Sequence, residues 1–131
     1  MDNTMLKLLQ AAQQSQKNAY APYSSFQVGS AILTDSDHIF TGCNVENVAY
    51  PLGQCAEASA ISAMINAGSK KIQKILIASP NEEYCPPCGG CRQKIKEFSD
   101  QNTQIIMANN QGKTKSVTIA ELLPLAFDMP E

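Results

Sequence analysis

Two short cysteine-containing stretches place the strongest constraint on how this chain can fold. The first is Cys55-Ala56-Glu57, and the second is Pro87-Cys88-Gly89-Gly90-Cys91-Arg92-Gln93. If the two stretches meet in space, they offer three thiolates to one metal ion and a carboxylate beside it, a set that suits metal-assisted hydrolysis. The fold must therefore bring two segments that are distant in the sequence to one place.

Length, charge and cysteine content limit the classes to which the chain can belong. A chain of 131 residues is expected to form one domain, residues 1–131, whose core needs no disulfides. The net charge is -2 and there is no basic run, so we expect no nucleic-acid partner. We find neither a signal-peptide pattern nor an apolar stretch long enough for a membrane span, which predicts a cytoplasmic protein with no membrane contact.

The pattern of apolar residues and turn formers predicts an α/β fold. We expect helices over residues 4–20, 55–67, 87–99 and 118–123, and Thr4 is the expected cap of the first. We expect strands over residues 28–33, 39–45, 74–78, 104–108 and 113–117. The run from Ile75 to Ala78 is apolar throughout, so this strand should be covered on both faces. The order of elements implies a mixed sheet of about five strands covered by helices.

The spacing of the cysteines predicts an open metal site. On a helix that begins near Pro87, Cys88 and Cys91 share a face and can both reach one ion. Cys55 at the start of another helix can be the third ligand, because partial positive charge at helix starts favours thiolates. Three protein ligands leave the fourth tetrahedral position free, as in catalytic zinc sites. Glu57 would then lie beside the metal without binding it and could move protons.

The residues alone leave other interpretations of the cysteines open. Cys85, Cys88 and Cys91 with one more cysteine could form a closed structural zinc site or begin an iron–sulfur run, although no fourth cysteine with a following proline lies nearby. Otherwise Cys43 and Cys85 are expected to be small, largely buried residues. His38 is the only histidine and is expected at the surface, so a Cys–His or Ser–His catalytic pair has little support.

Five segments, taken in order, carry a resemblance to a known enzyme family. They are residues 19–29, 42–47, 55–57, 87–93 and 122–127. Over nearly its full length the chain resembles the small, homotetrameric cytidine deaminases, whose signature is a Cys or His, a Glu and Pro-Cys-x-x-Cys. The resemblance implies a three-layer α/β/α fold, one zinc ion per subunit and a homotetramer. It also implies hydrolytic deamination of cytidine and deoxycytidine to uridine and deoxyuridine, with release of ammonia.

The resemblance further implies roles for individual residues. Cys55, Cys88 and Cys91 would hold zinc, which activates the water that attacks C4 of cytosine. Glu57 would protonate ring N3 and then pass a proton to the departing ammonia. The implied substrate-binding residues are Phe26, Asn44, Glu46, Tyr50, Ala56 and Phe127.

Several of these implied substrate contacts have simpler structural interpretations. Asn44 and Glu46 match a pair that binds the ribose hydroxyls, but an amide and a carboxylate two residues apart also stabilise turns. Phe26 matches an aromatic residue that packs against the pyrimidine, and Phe127, like Phe26, would otherwise be assigned to the core. Tyr50 and Phe127 match residues that reach sites shared between subunits.

One position departs from the pattern of the family. Many members with three cysteine ligands have arginine directly after the glutamate, whereas this chain has Ala58. Three thiolates on a divalent zinc leave a net negative site, which opposes ionisation of water. Another group must therefore compensate, and Arg92 and the two helix N-termini are the candidates that the sequence offers.

Two rival functions remain open from the sequence. A blasticidin-type or other small-molecule aminohydrolase would share the fold and the metal motif, although the pair Asn44 and Glu46 favours a free nucleoside. A non-catalytic zinc-binding module would instead fill all four coordination positions with protein ligands. Enzymes acting on polynucleotides are disfavoured because the chain lacks a basic channel.

Overall fold

A computed structural model of the chain, which describes residues 1–130, contains one five-stranded mixed sheet. Its strands are β1 (Gly29–Thr34), β2 (Ile39–Cys43), β3 (Ile72–Ala78), β4 (Gln104–Ala108) and β5 (Thr114–Val117). They lie in the order β2-β1-β3-β4-β5. Strands β3 and β4 are parallel, and the other neighbours are antiparallel. The predicted α/β class with about five strands is confirmed.

The helices follow the predicted order. They are α1 (Asn3–Gln16), α2 (Ala56–Asn66), α3 (Gly89–Glu97) and α4 (Ile119–Leu122), and a short 3₁₀ helix covers Tyr50–Leu52. Gly68, just after α2, has φ +93°, the left-handed conformation that commonly ends a helix. Among residues 1–130, no helix combines the length and the apolar character needed to cross a membrane.

Two clusters of buried side chains lie on opposite faces of the sheet, so the fold has three layers. Helix α1 contributes Leu8 to the cluster on one face, whereas α2 and α3 contribute Met64 and Ile95 to the cluster on the other. The central strand β3 supplies both clusters because alternate residues point to opposite faces: Leu76 to the first and Ile75 to the second. This arrangement confirms the predicted α/β/α layers and the predicted two-sided burial of β3.

All four helices begin within two residues of the predicted start, but the cap of α1 and the start of α3 differ from the prediction. The Asp2 carboxylate accepts a hydrogen bond of 2.7 Å from the backbone N–H of Met5 and caps α1, so the prediction of Thr4 as the cap is wrong. Helix α3 has Cys88 as its N-cap, so it begins two residues after the predicted Pro87.

The chain leaves α1 earlier than predicted and runs beside the loop that follows β2. The prediction extended this helix to Tyr20, but α1 ends at Gln16. The backbone N–H of Tyr20 donates to the Asn44 carbonyl at 3.0 Å, and its carbonyl accepts from the N–H of Glu46 at 2.8 Å. These bonds hold residues 20–28 and 44–54 together as one layer of loops at an end of the sheet.

Helix α2 lies directly on strand β2 because Gly42 has no side chain. A Cβ atom at Gly42 would lie 2.3 Å from the backbone nitrogen of Ala60 and 2.7 Å from the Ser59 Cβ. These distances are shorter than a real Cβ contact allows. Glycine at this position therefore sets the height of α2, and hence of the helix start that carries Cys55 and Glu57, above the sheet.

Candidate active site

Three cysteine sulfurs converge where α2 and α3 begin. The Sγ atoms of Cys55, Cys88 and Cys91 lie within 4.8 Å of one another. Cys55 is the N-cap of α2, Cys88 is the N-cap of α3, and Cys91 follows in the first turn of α3. Both helices cover the same face of the sheet and contact each other. The two stretches therefore meet in space as the sequence predicted.

The electrostatics of the three sulfurs favour a divalent cation. A hydrogen bond from Cys91, aided by one from Cys88 and opposed by burial, lowers the pKa of Cys55 to about 6. The same bond to Cys55, together with burial, raises the pKa of Cys91. Without a cation, three neighbouring thiolates would repel one another, so the sulfurs do not all ionise. A bound cation stabilises all three thiolates. Three soft sulfur ligands at this spacing fit zinc.

Glu57 is buried beside this cluster. It lies in the first turn of α2, two residues after Cys55, and is 5% exposed. Burial raises the pKa of its carboxyl group, and the negative charge of Cys55 adds to this effect. A carboxyl group held in this way takes up and releases protons more readily near neutral pH than an exposed one.

A cavity of about 240 Å³ opens beside Glu57. Six residues that the sequence assigned to the site line it: Phe26, Asn44, Cys55, Ala56, Glu57 and Cys88. The third cysteine, Cys91, is 1% exposed and reaches the site through its sulfur alone. One cavity therefore joins the metal-binding sulfurs, the buried carboxyl group and two of the predicted substrate contacts from the loop layer.

Asn44 holds the loop that carries Phe26 against this cavity. Its side-chain Nδ2 donates to the Phe26 carbonyl at 2.8 Å, and its Oδ1 accepts from the backbone N–H of Val28 at 2.9 Å. The turn-stabilising interpretation of Asn44 therefore holds in this structure. Because the residue also lines the cavity, the same side chain remains available to a ligand from its exposed side.

Glu46 and Tyr50 line a different cavity, of about 260 Å³. The Glu46 carboxylate accepts hydrogen bonds from the backbone N–H groups of Tyr23 at 2.9 Å and Ser24 at 3.2 Å, and from the Ser24 hydroxyl. The hydroxyl bond, aided by the backbone bonds, lowers the pKa of Glu46. The structure thus places these two predicted substrate contacts in the loop layer and not in the cavity beside Glu57.

Phe127 also lies away from the cavity within a single chain. It is 73% exposed, so the alternative that assigned it to the core is wrong for the single chain. Its carbonyl accepts from Gln93 Nε2 at 3.2 Å, and Lys96 and Asp128 form an ion pair of 3.1 Å. These contacts hold the C-terminal segment along α3 and leave the aromatic ring of Phe127 uncovered.

Further residues that sequence reasoning missed also line the cavity beside Glu57. They are Val28, Ile77, Ser79, Cys85, Pro86 and Pro87. Ser79 had a detectable signal, because polar residues directly after a parallel strand often face a ligand site. Cys85 and Cys43 are half-buried and not largely buried as expected. His38 is exposed as predicted, and its ring meets the edge of Phe40.

Arg92 is bound to backbone carbonyl groups. Its Nε donates to the Pro87 carbonyl at 2.8 Å and its Nη1 donates to the Leu122 carbonyl at 2.7 Å. The guanidinium group therefore joins the segment before Cys88 to the end of α4. Lys94, one turn after Cys91, is exposed, and its positive charge lowers the pKa of Cys55.

Comparisons with known proteins agree with this site. Residues 2–107 match the family model described as cytidine and deoxycytidylate deaminase zinc-binding region. The chain is 38% identical to a cytidine deaminase of Halalkalibacterium halodurans, over 97% of this chain and 95% of that protein. A cytidine deaminase of Sporosarcina psychrophila is 36% identical, over 92% of this chain and 89% of that protein.

A solved structure shows the same fold at similar identity. The crystal structure of a cytidine deaminase from Burkholderia pseudomallei superposes with a TM-score of 0.89 and is 36% identical, over 97% of this chain and 100% of that one. Sequence, fold and the cysteine cluster therefore lead to one conclusion. The chain belongs to the family of zinc-binding cytidine and deoxycytidylate deaminases.

Proposed function

We propose that this chain is a zinc-dependent cytidine deaminase that converts cytidine and deoxycytidine to uridine and deoxyuridine and releases ammonia. The observation that carries the proposal is the cavity in which Cys55 and Cys88 of the sulfur cluster lie next to the buried Glu57. Family membership and the named activity of the relatives support it. We further propose that residues 1–131 act as one domain, in pyrimidine salvage.

The residues that would hold zinc are Cys55, Cys88 and Cys91. When bound, zinc supplies a Lewis acid that lowers the pKa of a coordinated water from its bulk value to a range useful near neutral pH. The two helix N-termini contribute partial positive charge at the same place, which stabilises the thiolate ligands. The protein would hold zinc through three cysteines fixed on two helices, and a zinc ion bound in this way could also take a water as ligand.

Glu57 performs the proton transfers in this proposal. Its carboxylate accepts a proton from the attacking water as the water oxygen forms a bond to C4 of the pyrimidine, and it delivers that proton to N3. It then carries the second proton of the water to the amino group, so that the bond from C4 to nitrogen breaks and ammonia leaves. The raised pKa of the buried Glu57 suits a group that must both accept and donate.

Residues of the loop layer would orient the substrate. Phe26 offers an aromatic edge or face to the pyrimidine ring, and the Asn44 amide lies beside it. Ala56, at the first position of α2, has a backbone N–H that is free of helical bonding and points away from the helix start. These groups can bind the base and the sugar while Glu57 holds the proton.

The lining of the two cavities favours a nucleoside over a nucleotide. Among the described residues that line them there is no Lys, Arg or His, and Glu57 and Glu46 add negative charge. A phosphate group would therefore be desolvated and repelled without a cationic partner. This distinction matters because the family also includes enzymes acting on deoxycytidylate.

We also propose a homotetramer in which subunits share sites. Apolar side chains of the loop after β2 and of the C-terminal segment are largely exposed: Val48 77%, Tyr50 71%, Leu52 73%, Leu125 104% and Phe127 73%. Large exposed apolar side chains in such number support an interface with other copies of the chain. Copies of this chain covering them would bring Tyr50 and Phe127 close to a neighbouring site, the role that the resemblance implies for them.

The function is tested on purified, zinc-loaded protein with three substrates in parallel: cytidine, deoxycytidylate and blasticidin. We expect loss of cytidine absorbance with one ammonia released per turnover, and little change in the other two. Metal analysis should give one zinc per chain. Zinc without turnover of any substrate would favour a non-catalytic zinc-binding module, and faster turnover of blasticidin would favour the rival enzyme class.

A further inference from the structure

We propose that Lys94 supplies the positive charge that balances the three thiolates of the zinc site. The sequence predicts Arg92 for this task, and that stays a prediction; Lys94, two residues later, is a second cation near the same ligands. The inference rests on the proposed zinc-dependent function. It concerns a supporting residue that acts on the site through its charge, and not a group that touches the substrate.

The need for such a charge follows from the donor set. Cys55, Cys88 and Cys91 as thiolates carry three negative charges, and a divalent ion supplies only two positive charges. The buried Glu57 adds a further negative group when it is deprotonated. A net negative centre binds its ligands less tightly and disfavours ionisation of the water that hydrolysis requires. A cation near the sulfurs would offset both effects.

The guanidinium group of Arg92 is hydrogen-bonded to the backbone. Its two observed hydrogen bonds run to the carbonyl groups of Pro87 and Leu122. It is also the only arginine in the sequence. Any further cation for the site must therefore come from a lysine, the N-termini of the helices, or a neighbouring subunit.

Lys94 lies in a groove between the two helices that carry the ligands. It is three residues after Cys91 on α3, so both residues lie on the same side of the helix. The groove, of about 440 Å³, is also lined by Gln54 and Ala58, the residues directly before Cys55 and directly after Glu57. Ala58, whose side chain is a single methyl group, and Lys94 line this groove from opposite helices.

The charge of Lys94 is free to act on the site. Within residues 1–130, no carboxylate lies within 4.0 Å of its ammonium group, whereas Lys96 on the same helix is paired with Asp128. Glu97 lines the same groove and is the acidic side chain that could compete with the thiolates for the Lys94 ammonium group. Lys94 shares this groove with Gln54 and Ala58, which directly precede Cys55 and directly follow Glu57, so its positive charge lies beside the start of α2.

The experiment compares Lys94→Met, which keeps the length and removes the charge, with Lys94→Arg, which keeps the charge. The control is Lys7→Met, the same loss of charge at an exposed residue of α1 on the opposite face of the sheet. Two quantities are measured: zinc affinity by competition with a chelator, and kcat for cytidine. We expect Lys94→Met to lower each on the order of tenfold, Lys94→Arg to stay close to the starting protein, and Lys7→Met to change neither.

A second pair of variants moves the charge to the facing helix. Ala58→Lys combined with Lys94→Met returns a cation to the same groove from α2, so it should recover zinc affinity and part of kcat. The loss in Lys94→Met should also shrink at high salt, because screening weakens the contribution of an exposed charge in the starting protein. Lost packing alone would show neither the recovery nor the salt dependence.

The outcomes separate this inference from the proposed function. If Lys94→Met matches Lys7→Met in both zinc affinity and kcat, the inference is overturned while the function stands. If the starting protein binds zinc but does not deaminate cytidine, the proposed function fails. The zinc affinities of Lys94→Met, Lys94→Arg and Lys7→Met then still decide whether Lys94 balances the thiolates.

Discussion

Cys55 and Cys88 occupy N-cap positions that most helices give to Ser, Thr, Asp or Asn. Neither thiol makes a capping hydrogen bond to its helix, so each helix start forgoes a stabilising contact of about 1 kcal/mol. In exchange, both sulfurs lie within 4.8 Å of the Cys91 sulfur, in the partial positive charge of the helix N-termini. At the scale of single residues, the site is therefore built from capping positions used for metal ligands.

Glu57→Gln separates proton transfer from metal binding. The substitution keeps the shape and removes the titrating group, so we expect kcat for cytidine to fall about a thousandfold, within the usual range for general acid–base catalysis. Zinc content should stay at that of the starting protein, and thermal stability should not fall, because burial already disfavours the charged carboxylate. Loss of zinc from this variant would make Glu57 a ligand and would contradict the assignment.

Arg92→Ala tests the anchoring role of the only arginine. The loss of its bonds to the carbonyls of Pro87 and Leu122 should lower the free energy of unfolding by roughly 2 kcal/mol and reduce turnover, because Pro87 directly precedes Cys88. Denaturant unfolding and cytidine assays measure the two effects. Arg92→Lys keeps the charge but not the planar fork of donors, so it should remain impaired. Full activity in Arg92→Lys would instead favour a charge-balancing role.

At the scale of elements, the contact between α2 and β2 sets the position of half of the site. Gly42→Ala would place a Cβ 2.3 Å from the Ala60 backbone nitrogen and push α2 from the sheet. We expect a loss of about 1–3 kcal/mol in the free energy of unfolding, with lower zinc affinity because Cys55 and Glu57 move with the helix. For comparison, a Cβ at Gly90 meets no atom within 4 Å, so Gly90→Ala should not lower the stability.

Zinc joins the starts of α2 and α3, so its removal should loosen the contact between the two helices. We expect chelation to lower the midpoint of thermal unfolding. Relative to a sample with free zinc at a thousand times its Kd, the free energy of unfolding should fall by up to about 4 kcal/mol. Calorimetry before and after chelation measures the change. Adding zinc back should restore the midpoint, whereas magnesium should not, because it prefers oxygen ligands. An unchanged midpoint would show that zinc binding at the cysteine cluster does not stabilise the fold.

At the scale of the whole molecule, the exposed apolar side chains of the loop after β2 and of the C-terminal segment predict an assembly. Leu52→Glu places a charge among them and should shift the mass measured by light scattering from that of a tetramer to a smaller species, with loss of activity. Leu6→Glu is the control, since Leu6 is a partly exposed residue of α1 on the other face of the sheet. A monomeric starting protein with full activity would contradict the proposal of shared sites.

Much of the fold could be predicted because its signals are local. The strand over residues 104–108 was predicted with its observed bounds. Helix α4 was predicted from residue 118, where Thr118 and Glu121 form a capping box. The start of α3 was misplaced because Pro87 is a favoured residue for a first helical turn, although here the chain turns into the helix only after Cys88. Likewise, α1 was predicted too long because its last residues bond instead to the loop after β2.

The sequence by itself predicted the three cysteine ligands and Glu57 as the proton-transferring residue, since cysteine spacing and a neighbouring glutamate are properties of short segments. Only the tertiary structure decided which side chains share a cavity with them. It grouped Phe26 and Asn44 with Glu57, separated Glu46 and Phe127 from it, and turned Arg92 toward carbonyl groups while leaving Lys94 free. The physical reason is that the distance between charges on different helices depends on how those helices pack, which no local pattern encodes.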